Sequence, residues 1–311
     1  MNELIVDSSL YLGVHTGFTA KDDLYDVLTG DIIENCNVLQ VFFGSPRSLA
    51  GVRRIAKDDA RKSRDYMLEY DIKIFSHLPY IANFAREDSK DALNRLGSEI
   101  EQLSYLAPYR NTTNNSYNST RSAVVLHPGS ASSIGGDKEK GLDIVIENLR
   151  SLGTEQLRYV AVENAAGEGT KLCSTLKELG RIAKELPTVQ FCIDTAHAFG
   201  AGLCRFKTRR EVISFFNTLD ETIGLERLAC VHLNDSLVEF GKKGDRHQRI
   251  CRGWIWGEEM GGLCEIMHIC GSLGIPLIGE SSIDAFNDVP MLRTLHNYEF
   301  VCRKNNAGDV G

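Results

Sequence analysis

The amino-acid sequence predicts a (β/α)8 barrel, an α/β fold in which parallel strands alternate with helices. Three observations carry this expectation. Eight short apolar runs recur along the 311 residues, the stretches between them have helical periodicity, and seven of the eight runs carry His, Asp or Glu at their last or next-to-last position. Short runs rich in Val, Ile and Phe read as strands buried on both faces. Eight strand–helix units in about 300 residues suit a closed barrel better than an open sheet.

The runs are LYLGVH (10–15), VLQVFF (38–43), IKIFSH (72–77), AVVLH (123–127), YVAVEN (159–164), VQFCID (189–194), LACVHL (228–233) and IPLIGE (275–280). Between them, DKEKGLDIVIENLRSLG and KLCSTLKELGRIAKEL carry apolar residues at helical spacing and stop at Gly or Pro. No linker or change of composition divides the chain, so residues 1–311 are expected to form one domain. LAPYRNTTNNSYNSTR (106–121) is polar and is expected to be a disordered loop. Its N-x-S/T sequons, at Asn111, Asn114 and Asn118, are read as part of that polar composition.

With 42% hydrophobic residues the chain has an ordinary globular composition and the length for one large core. No apolar run is long enough to span a bilayer. The start, MNELIVDSSLYLG, has neither a basic region nor a continuous apolar one, and no secretion signal is read there. Nine cysteines without a C-x-x-C pair fit reduced thiols. A soluble intracellular protein is expected. The net charge of −7 argues against a nucleic-acid partner only if every carboxylate is free. Basic stretches at 52–64, 204–211 and 241–252 run against it, the first read as a solvated helix face.

In barrels of this kind functional groups sit at the C-terminal ends of the strands. Those ends carry His15, His77, His127, Glu163, Asp194, His232 and Glu280. A single polar end, such as His127 in HPGS, is more often a hydrogen-bonded core residue. Seven together are not explained that way. DTAH adds His197 beside Asp194, and GDRH adds Asp245 and His247, which can converge in a turn. Five His (77, 127, 197, 232, 247) with four carboxylates (163, 194, 245, 280) form a metal constellation. Imidazole and carboxylate without thiolate suit Zn²⁺, with Mn²⁺ or Fe²⁺ as competitors. Nine ligands are too many for one ion and enough for two or three that share a carboxylate.

In SHLPYIAN, VVLHPGS, VAVENAAGEG, CIDTAHAFGAG, VHLNDS and DRH followed by GEE, taken in order, the chain resembles the endonuclease IV family of apurinic/apyrimidinic (AP) endonucleases. These stretches span about residues 10 to 300, and CIDTAHAFGAG with HLNDS is highly specific. The resemblance implies a TIM barrel with three zinc ions. It places the first on His77 and His127, bridged by Glu163 to a second on Asp194, His232 and Glu280. The third falls to His197, Asp245 and His247. Arg47 and Tyr80 match positions that probe the DNA duplex. Three zinc ions would offset six of the seven net negative charges. SSID after Glu280, CRGWIWGEE and the long 106–121 connection depart from the family pattern.

By resemblance the expected reaction cleaves double-stranded DNA 5′ to an abasic site, leaving a 3′-hydroxyl, and also removes 3′-blocking groups. Clustered divalent ions suit it, since a phosphodiester must be attacked as an anion and must release a poor alkoxide. Glu163 would bridge two ions, and Glu280 would orient or deprotonate the nucleophile. A monomer without membrane contact is expected. A sugar isomerase or epimerase shares the barrel and the ligand style, but needs one or two ions. A damage-binding protein without catalysis would require ligand loss, and no ligand type is missing.

Overall fold

The computed structural model describes residues 10–18, 22–30, 35–108, 122–280 and 285–308. Each predicted run becomes a strand: β1 (Leu12–Thr16), β2 (Val38–Val41), β3 (Lys73–His77), β4 (Val124–Leu126), β5 (Val160–Glu163), β6 (Gln190–Asp194), β7 (Leu228–His232) and β10 (Leu277–Gly279). They close into a parallel barrel in the order β1-β10-β7-β6-β5-β4-β3-β2. The (β/α)8 expectation holds. Two short strands, β8 (Asp235–Ser236) and β9 (His247–Gln248), form an antiparallel ribbon in the connection from β7 to β10.

The helices are α1 (Leu24–Thr29), α2 (Lys57–Glu69), α3 (Lys90–Leu106), α4 (Lys138–Arg150), α5 (Thr154–Leu157), α6 (Leu176–Glu185), α7 (Thr195–Gly200), α8 (Arg209–Ile223), α9 (Gly261–Leu273) and α10 (Ala285–Gly308). α8 shows why such segments fold as they do. Val212, Phe215, Phe216, Leu219 and Ile223 recur at helical spacing and are buried, while Thr208 and Glu211 close a capping box at its start. α6 begins later than its apolar pattern, at Leu176, because Thr175 and Glu178 cap it in the same way. Leu106, the first residue of the expected 106–121 loop, instead ends α3 and is buried. Residues 109–121 of that loop lie outside the described residues. Among the described residues no helix is long and apolar enough to cross a membrane.

One apolar cluster fills the barrel and another lies between strands and helices. The inner cluster includes Val38, Phe75, Val125, Ala161, Cys192, Cys230 and Ile278. Side chains alternate along a strand, so the residue two positions further on faces the same way. For these seven that residue is Gln40, His77, His127, Glu163, Asp194, His232 and Glu280. Pleating therefore brings a polar residue from each of these strands to one mouth. A register shift between β6 and β7 at Phe191/Cys192 pairs Cys192 with Cys230 and Asp194 with His232.

Candidate metal centre at the barrel mouth

Glu163, at the end of β5, is fully buried and lies at the centre. Its Oε2 is 3.2 Å from His77 Nε2 and 3.6 Å from His127 Nε2. Its Oε1 is 3.2 Å from His197 Nδ1 and 3.1 Å from His232 Nδ1. One carboxylate thus faces imidazoles from four elements. Glu280 Oε2 is 3.1 Å from His232 Nδ1, and His247 Nε2 is 3.5 Å from Asp194 Oδ2. Asp245 Oδ1 is 3.1 Å from His197 Nε2 and 3.5 Å from His247 Nε2. Asp245 and His247 do converge, with Asp245 in the irregular segment ahead of β9.

Around these atoms the geometry gives three metal-competent groups: His77, His127 and Glu163; Glu163, Asp194, His232 and Glu280; and Asp194, His197 and His247. In each, one ligand atom per residue lies within 4.8 Å of the others. Asp245 joins the last group through its contacts with both imidazoles. Cys192 and Cys230 form a further group with His232, one layer deeper in the barrel.

Local chemistry positions several of these side chains. HPGS is a positioning device: Gly129 has φ +106°, and a Cβ there would sit 2.1 Å from Asn83 Oδ1. Asn83 Oδ1 accepts from Ser130 N at 3.1 Å and Ala85 N at 3.0 Å, tying the loop after β3 to the loop that carries His127. Asp194 caps α7 by accepting from His197 N at 2.6 Å, so the DTAH spacing fixes both residues. Asn164 Oδ1 accepts from Asp194 N at 2.7 Å. Lys171 pairs with Glu168 Oε2 at 3.0 Å and Asp245 Oδ2 at 3.4 Å, while Glu168 Oε1 accepts from Asp245 N at 2.8 Å.

Two amides missed by the sequence reading complete the shell. Gln40 Oε1 lies 2.9 Å from His232 Nε2, and Gln40 Nε2 donates to Glu280 Oε1 at 2.8 Å. Asn234 Nδ2 donates to Asp194 Oδ2 at 2.6 Å and to Glu280 Oε2 at 3.1 Å. His15 is not one of the metal-competent groups. Its Nδ1 meets Gln40 Nε2 at 2.9 Å, so this strand end is a hydrogen-bonded neighbour of the centre.

The donor set fits divalent metal. His77 Nδ1 is held by Leu78 O at 2.8 Å and His197 Nδ1 by Asn164 O at 3.0 Å. These carbonyls accept the ring protons and leave Nε2 of each ring as the lone-pair donor, aimed at the carboxylates. Electrostatics agree. Burial alone would raise Glu163, but His127, His232 and His197 hold it well below the usual carboxylate range. Burial likewise opposes ionised Glu280, which His232 and His15 hold low. Burial would lower His232 and His197, yet Cys192, Glu280 and Glu163 raise the first, and Asp194, Asp245 and Glu163 the second. His127, with less carboxylate contact, is pushed by burial down to about 4. Four carboxylates share the mouth and draw protons onto imidazoles that cations would otherwise face.

A cavity of about 570 Å³ opens above, lined by His77, His127, Glu163, His197, Asp245, His247 and Glu280 together with His15, Phe42 and Tyr80. Asp194 and His232 lie beneath it, both buried. Tyr80, 60% exposed, stands on the wall with its ring 5.6 Å from that of His77. Arg47 is exposed on the loop after β2 and does not line the cavity, but Tyr80 N donates to Pro46 O at 3.2 Å, so the two loops adjoin.

Fold and mouth together define a (β/α)8 protein whose barrel mouth gathers imidazoles and carboxylates able to bind metal. Comparison with known proteins narrows the class. Residues 35–268 match the xylose isomerase-like TIM-barrel family. A probable endonuclease 4 from Cenarchaeum symbiosum (strain A) is 30% identical over 81% of this chain and 87% of its own. One from Nitrosopumilus maritimus (strain SCM1) is 29% identical over 90% of this chain and 96% of its own. The crystal structure of endonuclease IV from Thermus thermophilus shares the fold with a TM-score of 0.74, at 24% identity, covering 92% of this chain and 98% of that one. The chain belongs to the endonuclease IV family within the xylose isomerase-like TIM barrels.

Proposed function

We propose that the protein is a zinc-dependent AP endonuclease that hydrolyses the phosphodiester 5′ to an abasic site in double-stranded DNA and leaves a 3′-hydroxyl. The observation that carries this reading is Glu163, whose two oxygens face His77 and His127 on one side and His197 and His232 on the other. A carboxylate so placed suits a bridge between cations. The family relationship supports the substrate class. His77 and His127 hold the first ion with Glu163; Asp194, His232 and Glu280 hold the second; His197, Asp245 and His247 hold the third. Divalent ions in such a cluster supply a nucleophile from water near neutral pH and stabilise the departing 3′-oxygen.

The chain's own groups do the positioning. Glu280 is fixed by Gln40 and Asn234, and its Oε2 faces His232 and His247 at 3.1 and 3.9 Å. It orients the attacking water or takes up its proton. Tyr80, 60% exposed on the wall of the mouth, presents its aromatic ring to the nucleic acid. The same mouth processes 3′-blocked ends, which present the same phosphodiester chemistry. The sugar isomerase reading shares the barrel but leaves His197, Asp245 and His247 without a role.

The deciding experiment is incubation of the purified protein with a duplex carrying one abasic analogue, beside elemental analysis. Nicking 5′ to the analogue with about three zinc ions per chain is expected. Fully active protein with a single ion would remove the three-ion scheme. Absence of nicking, with turnover of a ketose instead, would favour the isomerase.

A further inference from the structure

Trp254 stands out from its surroundings. It is 53% exposed, whereas Ile255 and Trp256 beside it are 1% and 0% exposed. An exposed tryptophan on a wandering loop would mean little, but this loop is pinned. Buried Asp235 accepts from Ser236 N at 2.7 Å, Ile255 N at 2.9 Å and Gly253 N at 3.0 Å. Trp254 N donates to Ser236 O at 2.8 Å, and Trp256 Nε1 to Phe206 O at 2.9 Å. The approach is close enough that a Cβ on Gly253 would lie 2.3 Å from Ser236 O. The indole is therefore held at the surface by a rigid support.

Its loop adjoins the barrel mouth, although the indole does not line the cavity itself. Ser236 pairs with His247 across the β8–β9 ribbon, so Trp254 is hydrogen-bonded to the strand beside a proposed ligand. The ribbon follows β7, and β7 lies four strands from β3 either way round the barrel. Tyr80 follows β3, so its loop and the ribbon leave the barrel from opposite strands. Arg252 and Arg246 are exposed on the same connection, and Leu237, 50% exposed, lies next to Ser236. An aromatic plate flanked by arginines is the chemistry that takes unstacked nucleobases along an anionic backbone.

We propose that Trp254 is a second aromatic contact for the DNA substrate, stacking on a base unstacked at the lesion, across the mouth from Tyr80. This rests on the AP endonuclease reading and adds a specificity-determining residue to it. Loss of the indole removes a binding contact remote from the reacting phosphate, so KM moves and kcat does not.

The chain has two tryptophans, and Trp256 is fully buried, so acrylamide-quenchable emission reports Trp254. Wild-type protein is titrated with a duplex carrying an abasic analogue and a non-hydrolysable methylphosphonate at the scissile linkage, then with an intact duplex. The abasic duplex is expected to shield the quenchable emission and the intact duplex to shield it less. Trp254→Ala is expected to raise KM for abasic DNA by roughly tenfold with kcat retained, and Trp254→Phe to restore most of it. Emission equally quenchable in the abasic complex, or an unchanged KM in Trp254→Ala, overturns the proposal. The fluorescence arm uses wild-type protein and decides even if the alanine variant misfolds. If wild-type protein does not nick abasic DNA, the underlying function fails; normal nicking with an unshielded Trp254 sinks this inference alone.

Discussion

Gln40 accepts the Nε2 proton of His232 at 2.9 Å, and this bond decides which nitrogen of His232 faces the carboxylates. With Nε2 protonated, Nδ1 keeps its lone pair toward Glu163 and Glu280, 3.1 Å from each. Gln40 is thus the outer partner of a proposed ligand, of the kind whose loss weakens metal binding by roughly 10–100-fold. Gln40→Leu should fold, since the site lies above an apolar barrel layer, but should give up metal at lower chelator concentration. Metal retention against a graded chelator measures this. Retention equal to wild type would show that the tautomer is set elsewhere.

Glu163→Gln removes the charge that would hold two cations together while conserving shape. The amide can still meet one imidazole on each side, so the fold should persist. Nicking should fall by orders of magnitude and metal content should drop below three per chain. Circular dichroism beside elemental analysis and nicking separates these outcomes, and a variant that nicks at the wild-type rate would remove the bridge.

Most of this centre was legible in the sequence because charged or imidazole side chains at the ends of apolar runs are conspicuous. Gln40 was not, for a definable reason. VLQVFF reads as a run ending on Phe43, yet the strand stops at Val41. Gln40 therefore occupies the inward mouth position that histidine or carboxylate fills on the other strands. Counting two residues on from the inner layer would have found it. Asn234 was hidden differently: it lies in HLNDS, outside the barrel strands, and its role depends on reaching back to Asp194 and Glu280. The Asp245–His247 pair was ambiguous because residues two apart share a face on a strand but not in every irregular connection. The segment that carries Asp245 is irregular and is held by Glu168 and Lys171, distant in sequence.

Metal removal should leave a protein whose stability peaks near the ordinary imidazole value of about 6.5. In the metal-free mouth His77, His197 and His232 have raised values, so their contribution is present below about pH 6.5 and is lost as pH rises through those values. Glu163 and Glu280 are lowered, so theirs is present above the usual glutamate value and is lost as pH falls. His127, lowered to about 4, adds a penalty on the acid side, because the unfolded chain takes up that proton first. Bound metal replaces the protons and should abolish the alkaline decline. Thermal midpoints with and without chelator between about pH 5 and 9 test this. A chelated protein that is as stable at about pH 9 as at about pH 6.5 would contradict it.

Selectivity for a missing base needs more than clustered cations, which would hydrolyse many phosphodiesters. An abasic nucleotide is easily extruded because no base has to be unpaired or unstacked, and the gap it leaves can be filled. Tyr80 is well placed to fill it, since its ring is 60% exposed and braced 5.4 Å from Phe42 and 5.6 Å from His77. Arg47 is exposed on the adjoining loop, joined to Tyr80 through the Pro46 carbonyl. A residue that only holds phosphate weakens binding to intact and abasic duplexes alike when it is removed. A gap-filling residue costs affinity for the abasic duplex alone, by roughly 1–3 kcal/mol per stacking contact. Tyr80→Ala is therefore expected to raise KM for abasic DNA and spare affinity for intact duplex. Arg47→Ala, further from the cavity, should show the same selectivity with a smaller effect. Both measurements belong at one fixed salt concentration, because the phosphate contribution varies steeply with salt. Equal losses on both duplexes would make the pair backbone clamps, and an unchanged preference would place recognition elsewhere on the rim.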